Sequence, residues 1–379
     1  MLPNYDRSIL SITASIMDYY GLQPAYPVLD ELTQALTEKQ TKKIVLLLLD
    51  GMGENLLKRR LPADAFLNVH DACAISTVYP STTTAATTSL WTGKSPIEHG
   101  WLGWSLYFKE CGRQIDAFLD RDSFSNERYP FASPAGTFMP LTPIYAALHG
   151  KTETHTLFPF KTNAANGAEF PHIYSGVADC MRLIGSIVRE DGDKLICAYI
   201  NEPDHSMHQT GVASEKTQSA FEMLNRYVEA LAGSLPEDAL LIVTADHGLV
   251  DMHECVKINE YPEIDECLIM PPSIESRAAT FFVKPHRKAD FEKAFQAVCG
   301  AYFQLYTREE VLNMNLLGRG TPHKKVDDFL GDYLACATGD RFICYMTPAG
   351  KEMDLIGQHA GLTEDEMTVP VILYRGGKR

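Results

Sequence analysis

Three separate stretches of this chain run through apolar, β-prone residues and stop on a carboxylate: KIVLLLLD at 43–50, KLICAYINEPD at 194–204 and ALLIVTAD at 239–246. Apolar runs of this length suit parallel strands covered by helices on both faces. Helical patterns lie between them, as in ASEKTQSAFEMLNRYVEALAG at 213–233, closed by Gly233 and followed by Pro236. The order predicts an α/β chain with a doubly wound, mostly parallel sheet flanked by helices. In such sheets ligands gather beyond the C-terminal ends of the strands, so Asp50, Asp204 and Asp246 are expected to converge although far apart in sequence.

The texture changes near Pro271, where ATFFVKP, ADFEKAFQAVCGAYF, FLGDYLACAT and RFICYM read as strand, helix, strand and strand. The expected organisation is a core of residues 1–270 and 355–379 with a small α+β insertion, 271–354, that caps it. VPVILYR at 369–375 returns as a further strand of the main sheet, and the first 40 residues read as helical around a loop at Gln23 to Pro27.

The formal charge of −15 opposes binding to nucleic acid or to an anionic membrane, so a phosphate-bearing substrate needs a local positive centre such as bound metal. The longest aliphatic run, Ile44 to Leu49, falls far short of the roughly 20 residues that span a bilayer. Asp6, Arg7 and Asp18 interrupt the region where a signal peptide needs an unbroken apolar run. Nine cysteines, an odd count without a C-x-x-C pair, argue for reduced thiols. The expectation is a cytoplasmic protein with a small-molecule substrate and no nucleic-acid or membrane partner.

In INEPDHSMHQTG, Asp204 and His208 are four apart and share one face if a helix starts there. Asp246 and His247 adjoin at the end of the third apolar run, and His359 sits in GQHAG. Singly, these have ordinary readings as an N-cap, a turn and a loop histidine. Jointly, three aspartates and three imidazoles suit two divalent ions, Zn²⁺ first and Mn²⁺ second, each with positions left open. Two such ions clamp the attacking and leaving oxygens of a phosphoryl displacement. YPSTTTAATTSLWTG at 79–93 offers hydroxyls at the start of a helix that Gly93 ends, and leaves Ser81, Thr82, Thr83 and Thr84 all open as the nucleophile. Its small residues equally suit close packing of a helix on a sheet.

The ordered landmarks from LLLLDGMGENLL to GQHAGL resemble the alkaline phosphatase superfamily, and within it the nucleotide pyrophosphatase/phosphodiesterase branch. That branch has a strand-end D-G, then Y/F-P-x-x-T leading to T-G-x-x-P-x-x-H-G, matched here by YPSTTTAATTSLWTGKSPIEHG. The resemblance implies a two-metal phosphohydrolase, first a phosphodiesterase or pyrophosphatase, acting through a covalent phosphothreonine on Thr83. It implies one metal on Asp204, His208 and His359, and the other on Asp50, Asp246, His247 and the Thr83 oxygen. Phosphonate or phosphomonoester hydrolysis are alternatives within the superfamily, and a binding relic without turnover is the non-enzymatic one. Two positions depart from the pattern. Thr84 stands where nucleotide-processing members carry an aromatic residue, and Trp104 where they carry an asparagine. Trp101, Trp104 and Tyr107, in HGWLGWSLY, are the expected lining of a substrate pocket.

Overall fold

The computed structural model describes residues 1–346 and 355–377. Its central strands, β9 (Ala239–Thr244), β1 (Lys43–Leu49) and β8 (Lys194–Ile200), lie side by side and parallel, with Leu47 opposite both Val243 and Ala198. Every residue of β1 and β9 is buried, because the apolar runs are covered on both faces. The full sheet has the order β2-β18-β9-β1-β8-β6-β7, with β2 Asp71–Ser76, β6 Glu153–Phe158, β7 Phe170–Ile173 and β18 Thr368–Arg375. Strand β18, expected from VPVILYR, pairs antiparallel with both β9 and β2 and is the exception in an otherwise parallel arrangement. Since β9, β1 and β8 run the same way, the chain leaves all three at one edge, and Asp50, Asp204 and Asp246 follow there. The fold is thus the helix-flanked, mostly parallel α/β sheet that the three apolar runs predict.

A second seven-stranded sheet has the order β14-β15-β13-β12-β3-β4-β5. Strands β12 (Ser273–Ile274), β13 (Ala278–Phe281), β14 (Phe303–Thr307) and β15 (Tyr333–Ala337) come from the segment expected as an insertion. Strands β3 (Ser105–Phe108), β4 (Arg113–Asp116) and β5 (Arg121–Asp122) come from much earlier, and Ile274 pairs with Ser105 to join the two groups. The segment 271–354 therefore shares its sheet with residues 105–122, and its expected boundary at Asp354 lies outside the described residues.

Two short ribbons connect the sheets: β10 (Val250–Asp251) with β17 (Gly357–Gln358), and β11 (Glu254–Lys257) with β16 (Arg341–Cys344). The second ribbon brings Cys255 and Cys344 to a Cα separation of 6.5 Å, where they form a disulfide, while the other seven cysteines are free. This corrects the expectation of reduced thiols throughout. The bridged residues are 89 apart and are brought together by strand pairing, which a cysteine count cannot register. Among the described residues no helix is long and apolar enough to cross a membrane.

Candidate active site

At the edge where β9, β1 and β8 end, the side chains of Asp50, Asp204, His208, Asp246, His247 and His359 meet. The donor atoms of Asp204, His247 and His359 lie within 4.8 Å of one another, as do those of Asp50, Asp246 and His247, so His247 stands between the two groups. His208 Nε2 is 3.2 Å from Asp204 Oδ1, and the His208 and His359 rings lie 5.2 Å apart. The His247 and His359 rings stack at 3.9 Å.

Local structure explains why these residues can crowd together. Gly51, directly after β1, has φ +74, and a Cβ there would lie 2.9 Å from the Asp204 Cβ and 2.7 Å from Leu249 Cδ1. Glycine therefore permits both the turn and the approach of Asp204. Asp246 Oδ1 accepts from the backbone N–H groups of Gly51 and His247, both at 3.1 Å. His208 Nδ1 donates to the Gly357 carbonyl at 2.7 Å and His247 Nδ1 to that of Gly248 at 3.1 Å. In the neutral rings that a metal requires, these bonds leave both Nε2 atoms as acceptors facing the cluster, the arrangement that orients a ligating imidazole. After His359, Ala360 has φ +89, a left-handed conformation that costs a non-glycine residue of order 1–3 kcal/mol and persists only where surrounding contacts impose it.

The charges in the cluster do not balance without a cation. Burial raises the Asp50 carboxyl well above the ordinary range, and the neighbouring Asp246 and Asp204 charges raise it further. Asp246 is likewise raised by burial. Burial also works to raise Asp204, but the His208 imidazolium overcomes it and holds Asp204 below the usual carboxylate range. The same pair, against burial, lifts His208 to about 9. Burial, and then the neighbouring His247 and His208 rings, push His359 well below an ordinary imidazole. Asp246 Oδ2 and His359 Nδ1 are buried without a hydrogen-bond partner among the described residues, and the buried Asp204 Oδ1 has the His208 ring as its near partner. Buried polar atoms are almost always satisfied, and a set of oxygen and imidazole donors orphaned together fits divalent metal ions.

The four hydroxyls left open by the sequence have different fates. Ser81 Oγ donates to the Gly361 carbonyl at 2.8 Å, Thr82 Oγ donates to Glu275 Oε1 at 2.6 Å, and Thr84 Oγ is buried. Thr83 alone of the four lines the adjoining cavity, its Oγ 3.1 Å from His247 Nε2 and 3.5 Å from Asp50 Oδ1. It is the first residue of the helix Thr83–Thr92, with Thr82 as N-cap and Gly93 closing the helix at φ +67. The unpaired N–H groups of that first turn favour negative charge beside the Thr83 hydroxyl.

The cavity has a volume of about 910 Å³ and runs from Asp50, Thr83 and the histidines to strands of the second sheet. Trp104 lines it, but Trp101 and Tyr107 do not. Trp101 is buried in the core of the second sheet, its indole N–H donating to the Met139 carbonyl at 3.0 Å. Tyr107 sits two residues beyond the lining residue Ser105 along β3, roughly 7 Å further from the site. Of the three expected aromatics only Trp104 lines the cavity; Phe118 and Phe124, from the turns after β4 and β5, are among the other rings that do. None of the described residues lining the cavity is Lys or Arg.

Two residues in the site escaped the sequence reading. Tyr199, on β8, donates its hydroxyl to Asp50 Oδ2; it is the one aromatic residue in the three apolar runs that end on Asp50, Asp204 and Asp246, which was its only signal. Glu275, in PPSIESRA, had none. It reaches the start of the helix Thr83–Thr92 because β12 pairs with β3.

A profile of the type I phosphodiesterase / nucleotide pyrophosphatase family matches residues 44–330. Among solved structures, murine ectonucleotide pyrophosphatase / phosphodiesterase 5 superposes with a TM-score of 0.65 at 17% identity, covering 88% of each chain. An inactive form of that murine protein, in complex with AMP, gives 0.65 at 18% identity over 88% of each chain. Phosphonoacetate hydrolase from Sinorhizobium meliloti 1021, in complex with phosphonoacetate, gives 0.64 at 18% identity, covering 89% of this chain and 91% of that one. At these identities the structures share the fold. No sequence among curated proteins matches the chain.

Proposed function

This chain belongs to the type I phosphodiesterase / nucleotide pyrophosphatase family, a family of metal-dependent hydrolases, and from that premise we propose that it hydrolyses a small phosphodiester through a covalent intermediate on Thr83. The observation that carries the reading is the Thr83 hydroxyl, alone among its neighbours in opening to the cavity, 3.1 Å from His247 Nε2 and at the edge of both donor groups.

Asp204, His208 and His359 would hold one divalent ion, and Asp50, Asp246 and His247 with the Thr83 oxygen the other. Bound there, two ions supply Lewis-acid charge to the phosphoryl oxygens and lower the pKa of a hydroxyl. Thr83 Oγ loses its proton and attacks phosphorus; the new Oγ–P bond forms as the bond to the leaving alcohol breaks, and the alcohol departs carrying a proton. Water then breaks the Oγ–P bond, which returns the hydroxyl and releases a phosphomonoester. Through this cycle the Nδ1 bonds of His208 and His247 hold their rings in place, Tyr199 fixes Asp50, and the first turn of the helix favours negative charge on Thr83.

The lining of the cavity favours a diester over the two alternatives. Phosphonoacetate carries a carboxylate and a phosphomonoester a second phosphoryl charge, and neither meets a Lys or Arg among the described lining residues. Nucleobase selectivity is expected to be weak, since Thr84 is buried and offers no ring beside the nucleophile. A panel of bis-p-nitrophenyl phosphate, p-nitrophenyl phosphate, phosphonoacetate and nucleotide substrates, each assayed with Zn²⁺, Mn²⁺ and Mg²⁺, tests the reading. Turnover of the aryl diester above the others supports it. A preference of about tenfold or more for monoester or phosphonate, equivalent to about 1.4 kcal/mol in transition-state binding, rejects it.

A further inference from the structure

Glu275 lines the cavity with Thr83 and carries a carboxyl that belongs to neither donor group. It follows Ile274, the last residue of β12, which holds φ +80, a conformation that strains a β-branched side chain. Gly103 makes the approach possible: a Cβ there would lie 2.6 Å from the Ile274 carbonyl oxygen. The result is a fixed placement. Glu275 Oε1 accepts from the Trp104 backbone N–H at 2.7 Å and from Thr82 Oγ at 2.6 Å, so it is tied to the residue next to Thr83. Both donors are neutral, and no Lys or Arg among the described lining residues offers a counter-charge. Burial raises this carboxyl to about 7, and it stands close enough to His208 for each to perturb the other. Oε2 accepts no hydrogen bond from a described residue, which leaves it to the cavity that Thr83 also lines.

We propose that Glu275 is a specificity-determining residue that selects against a second negative charge on the phosphoryl group presented to Thr83. A diester brings one charge to this position and a monoester or inorganic phosphate brings two. A fixed carboxylate on the wall of the cavity that Thr83 lines, bonded to the residue before it, repels the second charge more than it would in bulk solvent, because partly buried charges are screened less. The bland alternative is that Glu275 only staples β12 to the nucleophile helix. That role needs the Oε1 bonds but is indifferent to the charge of the substrate.

The inference rests on Thr83 being the attacking group, and its test has a binding arm that does not depend on turnover. Glu275→Gln and Glu275→Ser remove the charge, whereas Glu275→Asp keeps it. In zinc-loaded protein at about pH 8.5, where the carboxyl is ionised, both neutral variants are expected to raise the monoester-to-diester ratio of kcat/KM by about tenfold, with p-nitrophenyl phosphate and bis-p-nitrophenyl phosphate as the pair. Calorimetry with inorganic phosphate is expected to show tighter binding by a similar factor, about tenfold, in the same two variants and not in Glu275→Asp. Ratios and phosphate affinities within about twofold of the parent overturn the proposal. So does loss of fold, or an equal fall in both activities, in both neutral variants, since either marks a staple. If the parent turns over no phosphodiester, the function proposed above fails on its own account, and the phosphate titrations still decide the role of Glu275.

Discussion

Glu366 and Arg277 form an ion pair without solvent exposure on either side chain, and Glu366→Gln puts a number on what that pair does for the site. Glu366 Oε1 accepts from Arg277 Nε and the Gly361 backbone N–H, both at 2.7 Å; Oε2 accepts from Arg277 Nη2 at 2.8 Å and Thr363 Oγ at 2.6 Å. Because Arg277 meets both oxygens, the amide of a glutamine must turn an N–H toward the guanidinium whichever way it is placed. The substitution therefore leaves a buried positive charge without a partner and sets donor against donor. Breaking one side of a buried pair typically costs about 3–5 kcal/mol, about 4–6 °C in melting temperature for a chain of this length. The damage reaches the site, since Gly361 is two residues after His359 and its carbonyl accepts the Ser81 hydroxyl. Zinc affinity is thus expected to fall along with stability. Thermal and urea denaturation measure the first, and calorimetric titration with zinc the second. Arg277→Met combined with Glu366→Leu is expected to cost less than Glu366→Gln alone, because no unpaired charge remains buried. A single-variant loss within about 1 kcal/mol, or a double variant less stable than the single, refutes the reasoning.

Three other outcomes are expected. Thr83→Ala abolishes diester turnover while zinc content and the melting temperature stay near the parent's, and Thr83→Ser retains activity; a dead Thr82→Ala beside an active Thr83→Ala would move the nucleophile by one residue. In metal-free protein Asp50, Asp246 and His208 have raised pKa values, so the stability they contribute is present at low pH and is lost as pH rises through their folded-state values, about 9 for His208. Metal needs those donors deprotonated, so the rise in melting temperature on adding zinc is expected to be larger at about pH 8.5 than at about pH 6; a rise that shrinks with pH contradicts the assignment. Gly51→Ala, which forces a Cβ to 2.7 Å from Leu249 and imposes φ +74 on an alanine, lowers both stability and zinc content, and normal values for both would show that the turn can relax.

The legible part of this site is the part that local sequence determines. Asp50, Asp204 and Asp246 could be placed at one edge because each ends an apolar run whose neighbours run parallel, and this follows from strand burial alone. Thr83 could not be separated from Ser81, Thr82 and Thr84, because what distinguishes them is which partner each meets: Gly361, Glu275 and the packed interior come from remote parts of the chain. The same reason hid Glu275 and the Cys255–Cys344 bridge, both products of pairing between distant strands. Trp101 and Trp104 look alike in sequence, and only tertiary packing puts one in the core and the other on the cavity. The second sheet draws on two segments, 105–122 and 273–337, so a boundary near Pro271 captured one half of it.

The most direct test of the central claim is to quench the zinc-loaded protein with acid during turnover of bis-p-nitrophenyl phosphate and to map the modified peptide by mass spectrometry. The account predicts a p-nitrophenylphosphoryl group on Thr83 of the peptide that contains YPSTTTAATTSLWTG, and its disappearance in Thr83→Ala. A modification on Ser81 or Thr82, or steady turnover with no covalent adduct on any hydroxyl, contradicts it.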